Sequence, residues 1–166
     1  MNHQCQTITI LIAEDDPDDC VLIEQAYQES GLDFNLSFVR DGIELLQFLR
    51  QEPGYASPAI SPRPDLILLD LKMPRMDGFS ALAEIKEDAN LRSIPVVVLT
   101  NLKTEQDVLR TYDLGGAGFI IKPDSFEGLV EVVKVVNQYW FEVVELTCVE
   151  HVEKQKRHLS PAGSSS

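Results

Sequence analysis

The sequence predicts an α/β doubly wound domain, in which helices cover both faces of a parallel sheet. Short runs of apolar and β-branched residues recur along the chain, which is typical of strands buried on both faces. Amphipathic stretches separate these runs, and a regular alternation of strand and helix indicates right-handed crossovers between parallel strands. A chain of 166 residues suits one such domain with a tail.

The apolar runs predict five strands, at residues 7–13, 34–39, 65–70, 94–100 and 118–122. The amphipathic stretches predict five helices, at residues 17–30, 42–51, 78–88, 104–114 and after Ser125. Segment 51–65 holds four prolines, which remove backbone donors and favour a surface loop over a sixth element. We expect the domain to span residues 1–148, with a polar, disordered tail at residues 149–166.

Composition excludes several classes of partner. The chain has 14 Lys plus Arg against 27 Asp plus Glu, a formal charge of −13, which argues against binding to nucleic acid or to anionic membranes. The three cysteines are widely spaced and lack the paired spacing of zinc or redox sites. The N-terminal region has neither a cationic signal region nor a membrane span, so we expect a cytoplasmic protein with reduced thiols.

Acidic residues follow two of the predicted strands. The first strand ends in Glu14, Asp15 and Asp16, and the third ends in Asp70. In a flavodoxin-like sheet of order 2-1-3-4-5 these strands are neighbours, so their carboxyl ends would meet in one pocket. Carboxylates brought together repel one another unless a cation joins them, and oxygen ligands at an exposed edge suit a hard divalent cation, Mg²⁺ or alternatively Mn²⁺.

Two further strand ends supply complementary groups. The fourth predicted strand ends in Thr100, a hydroxyl donor, and the fifth ends in Lys122, a fixed positive charge. A carboxylate beside a metal, a lysine and a hydroxyl is arranged to attack a phosphoryl group and to stabilise the product's charge. The pattern therefore predicts that Asp70 becomes an aspartyl phosphate.

With these motifs in place, "AEDD", "LLDLKMPRMDG", "VVVLT" and "GAGFIIKP", the chain resembles the receiver domain of two-component response regulators. The resemblance implies a phosphoacceptor at Asp70, a metal held by Glu14, Asp15, Asp70 and the backbone carbonyl of Lys72, and a sensor histidine kinase as donor. It also implies a conformational switch at Thr100 and at the aromatic position three residues before Lys122, which is Phe119 here. The expected role is signalling rather than enzymatic turnover.

The sequence departs from the family pattern at three positions. Phe119 has no hydroxyl, so any switching must depend on burial of its ring. Lys72 stands where Asn is frequent, and Asn101 stands where a smaller residue is common, so both side chains could border the phosphoryl group. A narrower resemblance, in "SPRPDLILLDL" and "QYWFEVVEL", is to the small response regulators partnered with cyanobacterial phytochromes, which implies a phytochrome-type kinase.

The last helix is apolar over an arc wider than a single core-facing stripe needs. One interpretation is a helix buried more deeply than usual. The other is a second apolar face that forms a homodimer together with the fourth helix and fifth strand. The residues predicted for this face are Val132, Val136, Tyr139 and Trp140.

Three other functions were weighed against phosphoryl acceptance. A haloacid dehalogenase type phosphatase needs a second acid two residues after its nucleophile, and Lys72 occupies that position. A flavin carrier needs a neutral phosphate loop after the first strand, whereas "EDDPDD" would repel the phosphate. A DNA-binding module has too little room after residue 149, which leaves a docking or dimerisation module independent of phosphorylation as the alternative.

Overall fold

The structure, a computed structural model, describes residues 7–55 and 61–143 of the 166. Its strands are β1 (Ile8–Ala13), β2 (Phe34–Val39), β3 (Leu66–Leu69), β4 (Val96–Thr100) and β5 (Gly118–Ile121). Its α-helices are α1 (Pro17–Glu29), α2 (Gly42–Arg50), α3 (Gly78–Glu87), α4 (Glu105–Asp113) and α5 (Phe126–Asn137). The predicted domain end at residue 148 and the predicted tail at residues 149–166 lie outside the described residues.

The five strands form one parallel sheet of order β2-β1-β3-β4-β5, which confirms the predicted fold class and strand order. In the central strands β3 and β4 every residue is buried, because helices cover both faces of the sheet. The registers align Ala13 with Leu69 and Thr100 with Ile121. The carboxyl ends of β1, β3, β4 and β5 are thereby brought to one edge.

Each helix begins at a residue whose side chain accepts a hydrogen bond from a backbone N–H of the first turn, the usual arrangement at a helix N-terminus. These N-cap residues are Asp16, Asp41, Asp77, Thr104 and Ser125. The caps explain why all five α-helices start at or within one residue of the predicted position. They also set the length of the loop that follows each strand.

The core has one main cluster on each face of the sheet. On one face, α2 and α3 pack on β1, β3 and β4 through residues such as Leu45, Leu82 and Ile85. On the other face, α1 and α5 pack through residues such as Ile23, Val130 and Val133. Burial of this much apolar surface is the main stabilising contribution to the fold.

The proline-rich segment contains no helix or strand in its described parts, in agreement with the predicted loop. It is nevertheless packed against α2. The Tyr55 ring lies 5.5 Å from that of Phe48, and its hydroxyl donates to Glu44 Oε1 at 3.0 Å. Arg63 donates to Asn90 O at 2.8 Å and to Ser93 Oγ at 3.1 Å, so the segment also reaches the connection between α3 and β4.

The polypeptide continues past α5 as a π-helical segment, Gln138–Val143, which the sequence did not predict. Its Phe141 is buried in the core cluster with α1 and α5, where its ring lies 5.7 Å from that of Phe34. Among the described residues, no helix has the length and apolar character needed to cross a membrane.

Candidate functional site

The predicted site residues meet at the carboxyl edge of the sheet. Glu14 directly follows β1, Asp70 follows β3, Thr100 ends β4 and Lys122 follows β5. Glu14, Asp70 and Thr100 are 2%, 7% and 1% exposed, so three polar side chains are buried together. Buried polar groups are stable only when they are paired, and each of these is.

Lys122 is the centre of the charged network. Its Nζ lies 2.6 Å from Glu14 Oε2, 2.8 Å from Asp19 Oδ2 and 3.1 Å from Asp70 Oδ2. An ammonium group carries three N–H donors, so these three carboxylates use all of them. The lysine therefore joins β1, α1 and β3 to the end of β5.

The second carboxylate oxygen of Asp70 is held by uncharged donors. Thr100 Oγ1 donates to Asp70 Oδ1 at 2.8 Å, and the backbone N–H of Lys72 donates to the same oxygen at 3.3 Å. The backbone N–H of Leu102 in turn donates to Thr100 Oγ1 at 3.3 Å. Asp70 is thus fixed between a hydroxyl and an ammonium, with its loop closed back on its own side chain.

The electrostatics follow from several buried carboxylates around one cation. Burial raises the pKa of Glu14 to about 7, and the charge of Asp70 adds to this rise, against the opposing effect of Lys122. Burial alone would lower the pKa of Lys122, but its hydrogen bonds to Asp19 and Glu14 raise it well above its usual value. The lysine therefore stays charged at neutral pH, and burial holds a proton on Glu14 more tightly than on an exposed glutamate.

Three of the predicted metal ligands are also close together. Glu14, Asp15 and Asp70 each offer one carboxylate oxygen, and these oxygens lie within 4.8 Å of one another. Asp15 is exposed while the other two are buried, so the group opens to solvent on one side. An all-oxygen set with an open side fits Mg²⁺ or Mn²⁺, which retain bound water. Asp16 has another role, as N-cap of α1.

Phe119, one of the two predicted switch residues, lies in a small apolar cluster that begins directly after Asp70. Its buried members are Leu71, Phe79 and Val98, and half-buried Leu102, Leu114 and Phe119 pack against them. On the far side, the Arg110 guanidinium of α4 lies 4.2 Å from the centre of the Phe79 ring, a cation–π contact. The cluster therefore contacts α4 through Phe79, and the backbone of its member Leu102 is bonded to Thr100.

Sequence reasoning missed two ion pairs at this edge. One is the contact of Asp19 with Lys122; the only available signal was its position in the acidic run "EDDPDD" at the start of α1. The other joins Arg75 Nη2 to buried Asp41 Oδ2 at 2.7 Å, beside the hydrogen bond from Gly42 N to the carbonyl of residue 76 at 3.0 Å. These contacts attach the loop after Asp70 to the start of α2.

The predicted dimer or partner face requires a correction. Val136 is 5% exposed and lies in the core cluster, while Val132 and Trp140 are half-buried and pack against that cluster. Tyr139 is 54% exposed, as the prediction required. The apolar arc of α5 is wide partly because much of this helix is buried. Exposed apolar side chains nearby are Val135 on α5, Leu109 and Tyr112 on α4, and Ile121 on β5.

Comparison with protein families agrees with this geometry. Residues 10–134 match the model of the response regulator receiver domain, and the match includes every residue of the charged network and of the apolar cluster. The predicted resemblance is confirmed over most of the chain.

Individual relatives are similar over nearly their whole length. Response regulator Rcp1 of Synechocystis sp. is 39% identical over 82% of this chain and 91% of its own. The Mn²⁺-bound form of Rcp1 covers 84% of this chain and 98% of that one, with a TM-score of 0.75. The phosphorylated cyanobacterial phytochrome response regulator RcpA is 41% identical, covers 81% of this chain and 94% of that one, and also has a TM-score of 0.75.

Proposed function

Because the chain belongs to the response regulator receiver domain family, we propose that it accepts a phosphoryl group on Asp70 from a sensor histidine kinase in a Mg²⁺-dependent reaction. The observation that carries the proposal is the position of Asp70. One carboxylate oxygen accepts from Thr100 and the other from Lys122, beside two further carboxylates that could hold a metal. Such a carboxylate can act as a nucleophile, and its hydrogen-bond donors are already in place to stabilise the negative charge of the phosphorylated product.

The reaction is a displacement at phosphorus. A carboxylate oxygen of Asp70 forms a new P–O bond as the P–N bond of a phosphohistidine breaks, and the imidazole nitrogen leaves with the electron pair. Lys122 and Thr100, which contact Asp70 in the resting state, would turn to the oxygens of the transferred group. Both are within hydrogen-bond distance of the nucleophile already, so little rearrangement is needed.

The proposed metal ligands are Glu14, Asp15, Asp70 and the backbone carbonyl of Lys72. When bound, Mg²⁺ or Mn²⁺ would supply positive charge against the phosphoryl oxygens. The chain's own part is to hold the three carboxylates within reach of one cation, which their separation allows. The Mn²⁺-bound form of Rcp1, 39% identical to this chain, supports this assignment.

We assign the donor to a phytochrome-type histidine kinase, and the exchange to the cytoplasm. The support is that RcpA, described as a cyanobacterial phytochrome response regulator, is 41% identical to this chain over 81% of its length. A bacteriophytochrome response regulator, AtBRR, is also 36% identical and covers 78% of this chain. The formal net charge of −13 suits a donor domain with basic residues around its histidine.

The signal would be a shift between two conformations. As Thr100 turns toward the phosphoryl group, its bond to Leu102 N is lost, and the half-buried Phe119 ring can move further into the cluster. The face formed by α4, β5 and α5 would then repack. We propose that this face forms a homodimer, centred on Tyr139 and its exposed apolar neighbours.

Intact mass after incubation with acetyl phosphate or phosphoramidate tests the phosphoryl acceptor. The wild type should gain one phosphoryl group only when Mg²⁺ is present, and Asp70→Asn should gain none. Asp124→Asn, which removes one exposed acidic charge near the same edge, is the matched control and should behave as the wild type. A folded wild type that takes up no phosphoryl group would contradict the proposal and favour the docking module that needs no phosphorylation.

A further inference from the structure

Lys122 has one carboxylate partner that the proposed phosphorylation site does not otherwise use. Two of its three contacts, Glu14 and Asp70, belong to the group of oxygens that could hold a metal. The third, Asp19, does not belong to that group. Asp19 is also the nearer partner when compared with Asp70, at 2.8 Å against 3.1 Å.

Loading of the site would weaken two of these three contacts. A metal needs oxygens from Glu14 and Asp70, and a phosphoryl group takes one oxygen of Asp70 into a covalent bond. Cations compete for shared carboxylates, so the lysine must weaken these two contacts as the metal and phosphoryl group enter. Of the three partners of Lys122 in the described network, Asp19 alone lies outside the oxygens that a metal and a phosphoryl group would use.

The position of Asp19 suits a fixed anchor. It lies in the first turn of α1, which begins at Pro17 and is capped by Asp16, so its backbone is held by the helix. Its side chain is 28% exposed, and with Lys122 it lines a cavity of about 100 Å³ between α1 and α5. It therefore holds the ammonium on the α1 side, away from the exposed carboxylate Asp15.

We propose that Asp19 is a positioning residue that anchors the Lys122 ammonium and so keeps it from occupying the metal site. This role of Asp19 rests on the proposed function, and it makes Asp19 a residue that controls the metal affinity of the phosphorylation site. Without the Asp19 charge, Lys122 would pair more strongly with Glu14 and Asp70, and a divalent cation would have to displace it. Asp19 thereby sets how readily the resting site takes up its metal, and how free the lysine is to reach the phosphoryl group.

The test is Mn²⁺ affinity of the unphosphorylated chain, measured by electron paramagnetic resonance of free Mn²⁺. Asp19→Asn should weaken Mn²⁺ binding about tenfold, because the freed ammonium would compete with the cation for Glu14 and Asp70, and changes to groups around a metal's ligands commonly cost about that much. Asp19→Glu, which restores the charge, should recover most of the affinity. Asp18→Asn, an equal loss of charge in the same helical turn on an exposed side chain, should change the affinity only about twofold by long-range charge.

The same measurement in the Lys122→Gln variant shows whether Asp19 acts through the lysine. In Lys122→Gln there is no ammonium to anchor, so Asp19→Asn should weaken Mn²⁺ binding no more than Asp18→Asn does. Equal effects of Asp19→Asn and Asp18→Asn in the wild type would overturn the inference, as would an undiminished Asp19→Asn effect in Lys122→Gln.

The phosphorylation rate from acetyl phosphate separates this inference from the proposed function. If Asp19 has this role, the Mg²⁺ concentration that gives half the maximal phosphorylation rate should be higher for the Asp19→Asn variant than for the Asp18→Asn variant. If the wild type takes up no phosphoryl group, the proposed function fails, and the Mn²⁺ measurements still decide the role of Asp19. Melting temperatures in EDTA show whether each variant is folded.

Discussion

Gly78, the first residue of α3, lies directly against the backbone of Asp70. A β-carbon at position 78 would overlap the carbonyl oxygen of Asp70 and would lie 2.7 Å from Leu71 Cα. The Gly78 N–H also donates to Leu71 O at 2.9 Å. The absence of a side chain at residue 78 is therefore what lets α3 begin immediately behind Asp70.

We expect Gly78→Ala to destabilise the protein by more than about 2 kcal/mol, because the clashing atoms belong to the backbone and cannot turn away. Chemical denaturation measures this change. The matched control is Gly118→Ala in β5, where a β-carbon would meet Val97 Cγ1 at an ordinary 3.5 Å. Equal stability of the two variants would contradict the close approach of α3 to Asp70.

Loss of the Thr100 hydroxyl should uncouple phosphorylation from the conformational response. In Thr100→Val, Asp70 and Lys122 remain, so a small phosphodonor should still react, at a cost of about 1 to 2 kcal/mol in stability from two lost hydrogen bonds. Hydrogen exchange of residues 101–121 should then no longer differ between the phosphorylated and unphosphorylated forms. Thr111→Val, which removes a buried hydroxyl bonded to Asp107 O, should keep that difference.

The metal-free protein should lose stability as the pH rises from about 4.5 to about 7, the interval between the usual pKa of Glu14 and its pKa in the fold. Within that interval the folded chain binds more protons at this residue than the unfolded chain does, so deprotonation favours unfolding. The effect is at most about 3 kcal/mol. Thermal unfolding in EDTA at several pH values measures it.

Glu14→Gln is the control for this pH dependence, since a neutral amide has no proton to lose. It should flatten the decline between the two pKa values. Parallel curves for Glu14→Gln and the wild type would show that another group carries the pH dependence.

Removal of the Arg110 guanidinium should loosen α4. Arg110→Met keeps an apolar stem but loses the cation–π contact with Phe79, worth about 0.5 to 1 kcal/mol at an exposed site. We expect amide exchange in α4 to become about threefold faster, with little change elsewhere. Lys103→Met, the same loss of charge just before α4, should leave the exchange unchanged.

Exposed and buried side chains of α5 and of the π-helical segment that follows it should respond differently to truncation. Val135→Ser and Tyr139→Ser change side chains that are 59% and 54% exposed, so they should weaken a homodimer with little loss of monomer stability. Val136→Ala should instead destabilise the monomer by about 2 kcal/mol, because its side chain is in the core. Analytical ultracentrifugation with and without phosphorylation measures the dimer. If Val136→Ala dissociated the dimer while Val135→Ser and Tyr139→Ser did not, the assignment of the exposed residues to the interface would be contradicted.

The periodicity of the sequence was enough for the fold class and for the approximate position of every described strand and α-helix. The strand order followed from the topology that is common for a flavodoxin-like sheet. It placed β4 at residues 94–100, whereas the strand begins at Val96, because Ile94 is apolar and buried without belonging to the ladder. Residues on the strand ends were also predictable, since topology alone brings Glu14, Asp70, Thr100 and Lys122 to one edge.

Contacts that depend on side-chain direction were not predictable in this way. Whether Asp19 points to Lys122 depends on the turn of α1 on which it lies, and the acidic run contains three other aspartates of the same chemistry. Val136 was misplaced because an apolar pattern on a helix does not distinguish a buried face from an exposed one. The π-helical segment after α5 left no signal in apolar spacing.

The ion pair between Arg75 and Asp41 makes the surroundings of Asp70 more rigid on one side than on the other. On the side of α2 and α3, the loop after Asp70 is tied by this pair and by the bond from Gly42 to residue 76, and α3 has no free space behind Gly78. On the opposite side, Leu102 and Phe119 are only half-buried. We therefore expect charge added at Asp70 to displace the less tightly held side, toward α4 and β5. Under the proposed function, the resting fold itself would set the direction of the response, whichever donor supplies the phosphoryl group.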